Sequence, residues 1–341
     1  MHQFNRRRVL QTLSLAPLMS LSPLTAWAQA QTLKISHQFP GGTLEEGDFR
    51  DRLCRMFAAE VQKRSNGSLK FEIYPGSSLM KTNAQFSSMR KGALDLSLVP
   101  LSYAGGEVPE VNIGLMPGLV PSYEVGAAWK TAEVGKELNK LLLDKGIVIV
   151  SWVWQAGGVA SRTKAVVDPD DVKGMKIRGG SREVDLVLKA AGAAVVSLPS
   201  NEIYAAMQTG AMEAAMTSST SLISFRLEEV SKFLTSGRGQ SYWYMFEPLM
   251  MSKAIFDKLT KEQQNIIMTV GADLEAFAIK AAKQDDVAVA NVYEKKGAKV
   301  VDLNAATVKK WQAIARATAW KDYADKNDNC AKLLKMAEKL L

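Results

Sequence analysis

Residues 170–219 carry strand–turn–helix units in tandem, and no other stretch narrows the fold of this chain as much. Asp170-Asp171-Val172-Lys173-Gly174 is a short acidic turn closed by glycine. Met175-Lys176-Ile177 is a brief apolar strand with Arg178 at its carboxyl end, and Gly179-Gly180 lets the backbone turn tightly after it. Ser181 is placed to cap a helix over 181–191, which Gly192 ends. A second strand is expected over 193–197. Pro199-Ser200-Asn201 opens another helix, which stops at Gly210, and 212–216 reads as a third strand. Open α/β sheets bind ligands outside the carboxyl ends of their strands, so Arg178 stands where a ligand would be met.

The same alternation runs through the rest of the chain. A first strand over 33–37 leads into the loop Gln38-Phe39-Pro40-Gly41-Gly42. A helix is expected over 44–64, with Phe49, Leu53, Met56, Phe57 and Val61 on one face. Strands at 69–74 and 94–99 flank a helix at 82–91. Ser122 starts a helix that runs to 143, and 147–154 is a further strand. This pattern predicts mostly parallel sheets with helices on both faces. Gln155-Ala156-Gly157-Gly158 interrupts it, and the first crossing between two domains is expected there. The chain returns through 244–259. Residues 261–296 contain no proline and only Gly271 as glycine, which predicts one long helix joining both domains, opened by a Thr260/Gln263 capping box. A strand at 300–303 and a helical tail over 305–341 follow. The expected fold class is therefore α/β with two lobes around a hinged cleft: 31–154 with 244–283 as lobe I, and 155–243 with 284–341 as lobe II.

The N-terminus has the form of a cleaved export signal. Arg6-Arg7-Arg8 precede an apolar run over 9–24, and Ala26-Trp27-Ala28 and Ala28-Gln29-Ala30 are small-x-small cleavage patterns. Asn5-Arg6-Arg7-Arg8-Val9-Leu10 suits the general or the twin-arginine route, both ending in the periplasm. Cleavage after Ala30 removes those three arginines and takes the formal charge from +8 to +5. The remaining basic residues are interspersed with acidic ones, with no arginine stripe among aromatics, so nucleic acid is not an expected partner. Cys54 and Cys330 are the only cysteines, and their spacing leaves pairing open. Only His37 survives as histidine, with no cysteine pair at metal spacing and no Gly-x-Ser-x-Gly. A hydrolase built on carboxylates alone is the enzyme class left, and no enzyme activity is expected.

Asp171-Val172-Lys173-Gly174-Met175-Lys176-Ile177-Arg178, then Gly192-Ala193, Glu202-Ile203-Tyr204 and Gln208-Thr209-Gly210, resemble the signature of the solute-binding proteins of tripartite ATP-independent periplasmic (TRAP) transporters. The resemblance extends to Tyr74-Pro75-Gly76, Gly92-Ala93-Leu94-Asp95 and the run over 258–264. It implies a monomeric periplasmic protein that delivers a small organic acid anion to membrane permease subunits; a sensory protein of the same fold is the alternative. Arg178 is the implied carboxylate clamp, since a guanidinium fork matches a carboxylate in geometry as well as charge.

Trp154 and Trp243 adjoin the two crossings as candidate aromatic walls, and Tyr103 and Gln38 lie just past early strands, placed to close the cleft from lobe I. Thr217 stands after the 212–216 strand, as a ligand hydrogen-bond partner or the cap of the next helix. Glu213 and Thr217 replace the family's usual Asp and a sialic-acid-contacting Asn. Together with the missing second arginine near Gly158 this argues against sialic acid, and a monocarboxylate such as a 2-oxo, 2-hydroxy or aromatic acid is expected. Gln155 and Glu247 resemble positions that hold a bridging cation in 2-oxoacid-binding relatives. The tryptophan those relatives use near Glu213 is absent, so no cofactor is the leading reading and the cation the lesser one.

Overall fold

A computed structural model describes residues 30–341; the expected export signal lies outside them. Its strands are β1 (Gln31–His37), β2 (Leu69–Tyr74), β3 (Leu96–Leu98), β4 (Ile147–Ser151), β5 (Trp154–Ser161), β6 (Lys176–Arg178), β7 (Ala194–Val196), β8 (Ala214–Ser218), β9 (Phe233–Ser236), β10 (Tyr244–Phe246), β11 (Leu249–Ser252) and β12 (Lys299–Asp302). They form two sheets. The first runs β2-β1-β3-β11-β4; the second runs β12-β9-β5-β8-β6-β7, with β10 paired to β5. The arrangement is α/β and two-lobed, as the strand–helix alternation predicts.

The sheets are more mixed than expected. β1 pairs in parallel with β2 and β3, β6 with β7 and β8, and β9 with β12. The antiparallel pairs all involve β5, β10 or β11. These three strands adjoin the points where the chain changes sheet. It leaves the first sheet after Ser151, and it returns between Phe246 and Leu249.

The run 155–158 does not interrupt the structure: it is the interior of the fully buried β5. A Cβ on Gly157 would stand 2.2 Å from the Thr217 carbonyl oxygen and 2.3 Å from the Trp243 ring. One on Gly158 would stand 2.2 Å from the Thr235 carbonyl oxygen. These glycines permit close approach of neighbouring backbones rather than a turn.

Helix α1 (Phe49–Arg64) starts later than 44, because Gly47 sits at φ 105 and Asp48 caps the helix by accepting from Arg50 N. Helix α2 is Gln85–Arg90. The helix expected over 122–143 is two, α3 (Tyr123–Trp129) and α4 (Glu133–Asp144). Helices α5 (Arg182–Ala190), α6 (Ile203–Gln208), α7 (Ser219–Ser224) and α8 (Lys253–Phe256) follow. The single long helix is likewise two, α9 (Lys261–Asp273) and α10 (Glu275–Lys295), with Leu274 between them. The Thr260/Gln263 capping box opens α9 as expected. The tail folds as α11 (Ala305–Ala315), a π turn over Arg316–Trp320, α12 (Lys321–Ala324) and α13 (Asp328–Glu338). α13 packs on α4, and α11 on α5, so the tail touches both lobes. Cys54 and Cys330 are both buried and free. Among the described residues no helix is long and apolar enough to cross a membrane.

Candidate functional site

Arg178 ends β6, where its neighbours are Val196 on β7 and Ala215 on β8. It is 3% exposed. Its Nε donates to the Leu198 carbonyl at 3.1 Å, Nη1 to the Met216 carbonyl at 2.7 Å, and Nη2 to the Tyr103 hydroxyl at 2.8 Å. All three acceptors are neutral. Among the described residues no carboxylate lies within 4.0 Å of this guanidinium, unlike the other buried arginine, Arg50. A guanidinium has five N–H groups, so one on each terminal nitrogen remains for an anion. Asp185 acts on this buried charge through its field but makes no contact with it, so an incoming carboxylate would be its first direct ion pair. Gly180, at φ 95, follows so closely that a Cβ there would stand 2.7 Å from Nη1.

Tyr103 reaches Arg178 from the turn Leu101–Ala104 after β3, and its hydroxyl also accepts from Ser200 N at 3.1 Å. A cavity of about 450 Å³ opens beside it, lined by Asn83, Ser102 and Tyr103 on one side and Ser181, Leu198 and Glu202 on the other. A larger groove of about 720 Å³, lined by Arg162, Tyr204, Glu213 and Lys232, lies wholly on the second sheet's side. Its basic residues Arg162 and Lys232 are exposed to water, so it lacks the unpaired buried charge of Arg178.

Gln38 follows β1, is 1% exposed, and both atoms of its side-chain amide lack a partner. Buried polar groups are almost always hydrogen-bonded, so this amide marks a place where a ligand or water belongs. Trp154 and Trp243, expected as a pair of walls, enter different surroundings. Trp154 lies between Trp129 and Phe246, with ring centroids 5.2 Å and 4.9 Å away. Trp243 covers Gly157. Both are buried and both indole N–H groups are unpartnered. Thr217 stands inside β8 opposite Gly158, not after the strand. The residue that caps α7 is Ser218, which accepts from Ser221 N.

Gln155 and Glu247 do come together: Gln155 Nε2 donates to Glu247 Oε2. The positive charge they meet is Arg50, whose Nη1 donates to the same oxygen at 3.2 Å, so the place expected for a bridging cation faces a guanidinium. Arg50 also pairs with Asp48 at 2.7 Å and donates to Ser221 Oγ at 3.1 Å, and its guanidinium stacks 3.6 Å from the centroid of Phe39. It thus ties α1 of the first lobe to α7 of the second. Burial raises Glu247 to about 7 although Arg50 pulls the other way. Burial acts in the same sense on Asp48, but there Arg50 wins and holds the carboxyl below its ordinary range. The sequence reading missed Arg50. The available signal was its position: 50, 53, 54, 57 and 61 form the buried stripe of α1, and an arginine on an apolar stripe needs partners.

Glu183 in the first turn of α5 is fully buried, and burial pushes it from 4.5 up to about 7. Its folded form keeps a proton that the unfolded chain releases near 4.5. Its contribution is therefore whole below about 4.5 and is lost as pH rises towards 7, a difference worth about 3 kcal/mol. Glu183→Gln should narrow the stability gap between pH 5 and pH 8 in urea melts. An equally wide gap in the variant would mean that Glu183 ionises normally in the fold.

Two α/β lobes with a buried arginine reached from both, its direct partners all neutral, form the architecture of a two-lobed binding protein. The family profile described as bacterial extracellular solute-binding protein, family 7, matches residues 42–327. A solute-binding protein of Albidiferax ferrireducens is 71% identical, over 98% of this chain and 99% of its own length. The 2,3-diketo-L-gulonate-binding periplasmic protein YiaO of Escherichia coli is 26% identical over 86% of this chain and 88% of its own. A TRAP periplasmic solute-binding protein of Rhodoferax ferrireducens, solved with bound malonate, superposes with a TM-score of 0.90 at 75% identity, covering 90% of this chain and 98% of the other. A Bordetella pertussis receptor binding pyroglutamic acid shares the fold at 21% identity, with a TM-score of 0.80 over 90% and 99% of the two chains. The chain belongs to this family, the extracytoplasmic solute-binding proteins of TRAP transporters. It is a solute-binding protein and not an enzyme.

Proposed function

We propose that the chain, exported to the periplasm by cleavage of residues 1–30, captures a short carboxylate at Arg178 and presents it to the membrane subunits of a TRAP permease. The observation that carries this reading is the buried Arg178 guanidinium, held by three neutral oxygens and lacking an anion. Gln38, Trp154 and Trp243 each carry a buried polar atom without a protein partner, and with the buried Thr217 they are the groups we assign to the rest of the site. Gln155 and Glu247, tied to Arg50, are assigned to the buried side of the site. The lobes are residues 31–154 with 244–283 and residues 155–243 with 284–341, with the helical tail braced across both.

The malonate in the 75%-identical relative widens the expected ligand class from monocarboxylates to short acids with one or two carboxylates. Calorimetry with malonate, lactate, pyruvate, succinate, sialic acid and glucose tests this. A short acid should bind at micromolar concentration or tighter and glucose not at all; binding of glucose alone would overturn the assignment.

A further inference from the structure

We infer that Tyr103 is a latch that sets how long the acid stays bound, because its hydroxyl fastens the first lobe to the guanidinium that holds the carboxylate. This rests on the reading of Arg178 as the anion site. Tyr103 belongs to the turn Leu101–Ala104, which follows β3 of the first sheet. Both its hydrogen-bond partners belong to the other lobe: Arg178 Nη2 at 2.8 Å and Ser200 N at 3.1 Å. Ser200 opens the turn Ser200–Glu202 ahead of α6, so its N–H is one of the donors that a helix start leaves unpaired.

Both partners donate. They fill the two lone pairs of the phenol oxygen and leave its proton free, beside the Arg178 N–H groups that remain for an anion. The other bonds across the same rim are longer, Thr82 Oγ1 to Asn201 Oδ1 at 3.3 Å and Ser181 Oγ to the Leu115 carbonyl at 3.4 Å. Opening the cleft must break both Tyr103 bonds and free the guanidinium that grips the ligand. The ligand-free lobes move between open and closed arrangements, and encounter occurs in the open one, where these bonds are broken. Tyr103 therefore acts on release and not on capture.

Tyr103→Phe keeps the ring and removes the oxygen, which leaves two N–H donors unpaired only when the cleft is closed. Ser200→Pro removes one of those donors at a helix-start position that tolerates proline. Stopped-flow tryptophan fluorescence with malonate should show the dissociation rate rising about 10-fold or more in Tyr103→Phe and by less in Ser200→Pro, with association changed by no more than about 3-fold. Arg178→Ala runs beside them. If it loses malonate while Tyr103→Phe releases at the wild-type rate, the anion site stands and the latch is wrong. If Arg178→Ala binds normally, the anion site itself is wrong.

Spin labels on the exposed Lys91 and Lys189 positions give a ligand-free arm that is independent of which acid binds. Distance distributions by double electron–electron resonance should show the short population reduced in Tyr103→Phe. An unchanged distribution would refute the latch even if malonate proves not to be the ligand.

Discussion

Arg178→Ala should bind the acid about 30-fold more weakly or worse, because truncating one side of a buried charge pair costs roughly 2–5 kcal/mol. The guanidinium is 3% exposed and makes no direct ion pair among the described residues, with Asp185 acting on it only through its field. Arg178→Lys keeps the charge on a single nitrogen. It cannot serve Leu198, Met216, Tyr103 and a carboxylate in the same planar arrangement, so it should also weaken binding, by less. The ligand-free Arg178→Ala protein should stay folded, because the loss of the hydrogen bonds to Leu198, Met216 and Tyr103 is partly offset by relief of a buried charge's desolvation. Calorimetry on both variants, with circular dichroism as the folding control, decides. Near-normal affinity in a folded Arg178→Ala protein would show that the acid is held elsewhere; an unfolded variant would make Arg178 a structural residue.

Arg50→Met should lower folding stability by about 3–5 kcal/mol, the usual cost of stripping one partner from a buried ion pair. The methionine fills the space above Phe39, but Asp48 and Glu247 then face each other's field in a site with no water-exposed side-chain surface. The sign with pH follows. Both carboxyls must take up protons to remain buried without Arg50, so the deficit should be smaller at pH 5 than at pH 8. Urea melts of wild type and variant at the two pH values test this. A variant within about 0.5 kcal/mol of wild type at pH 8 would show that the three charges are not energetically coupled.

Much of the second lobe was legible because each of its breaks is chemically loud. Gly174, Gly180, Gly192 and Gly210 all sit at positive φ, and Ser181 caps α5 as its spacing implied. Arg178 was legible for the same reason, as the charged residue that ends a short apolar strand, and it does end β6. β5 was misread because a Gly-Gly pair inside a strand looks like a turn; only the Thr217 and Thr235 carbonyls pressed against it reveal the need for small residues. The break at Leu274 carries no proline or glycine signal, and packing decides it. The antiparallel strands went unseen because strand direction depends on where the chain crosses, which local periodicity does not encode. Tyr103 was legible as a loop residue near the cleft, whereas its partners, 75 and 97 residues away, were not.

The position of β11 has a consequence for how the chain is made. It lies between β3 and β4, pairing Leu249 with Leu98 on one side and with Ser151 on the other. β3 and β4 therefore have no direct ladder to form with each other. Until residues beyond 249 emerge, two apolar strands present open edges, and the first half of the chain cannot settle as a finished unit. Synthesis thus holds the nascent protein in an incomplete, adhesive state for most of its length. A chain in that state exposes apolar strand edges to its neighbours until β11 is in place.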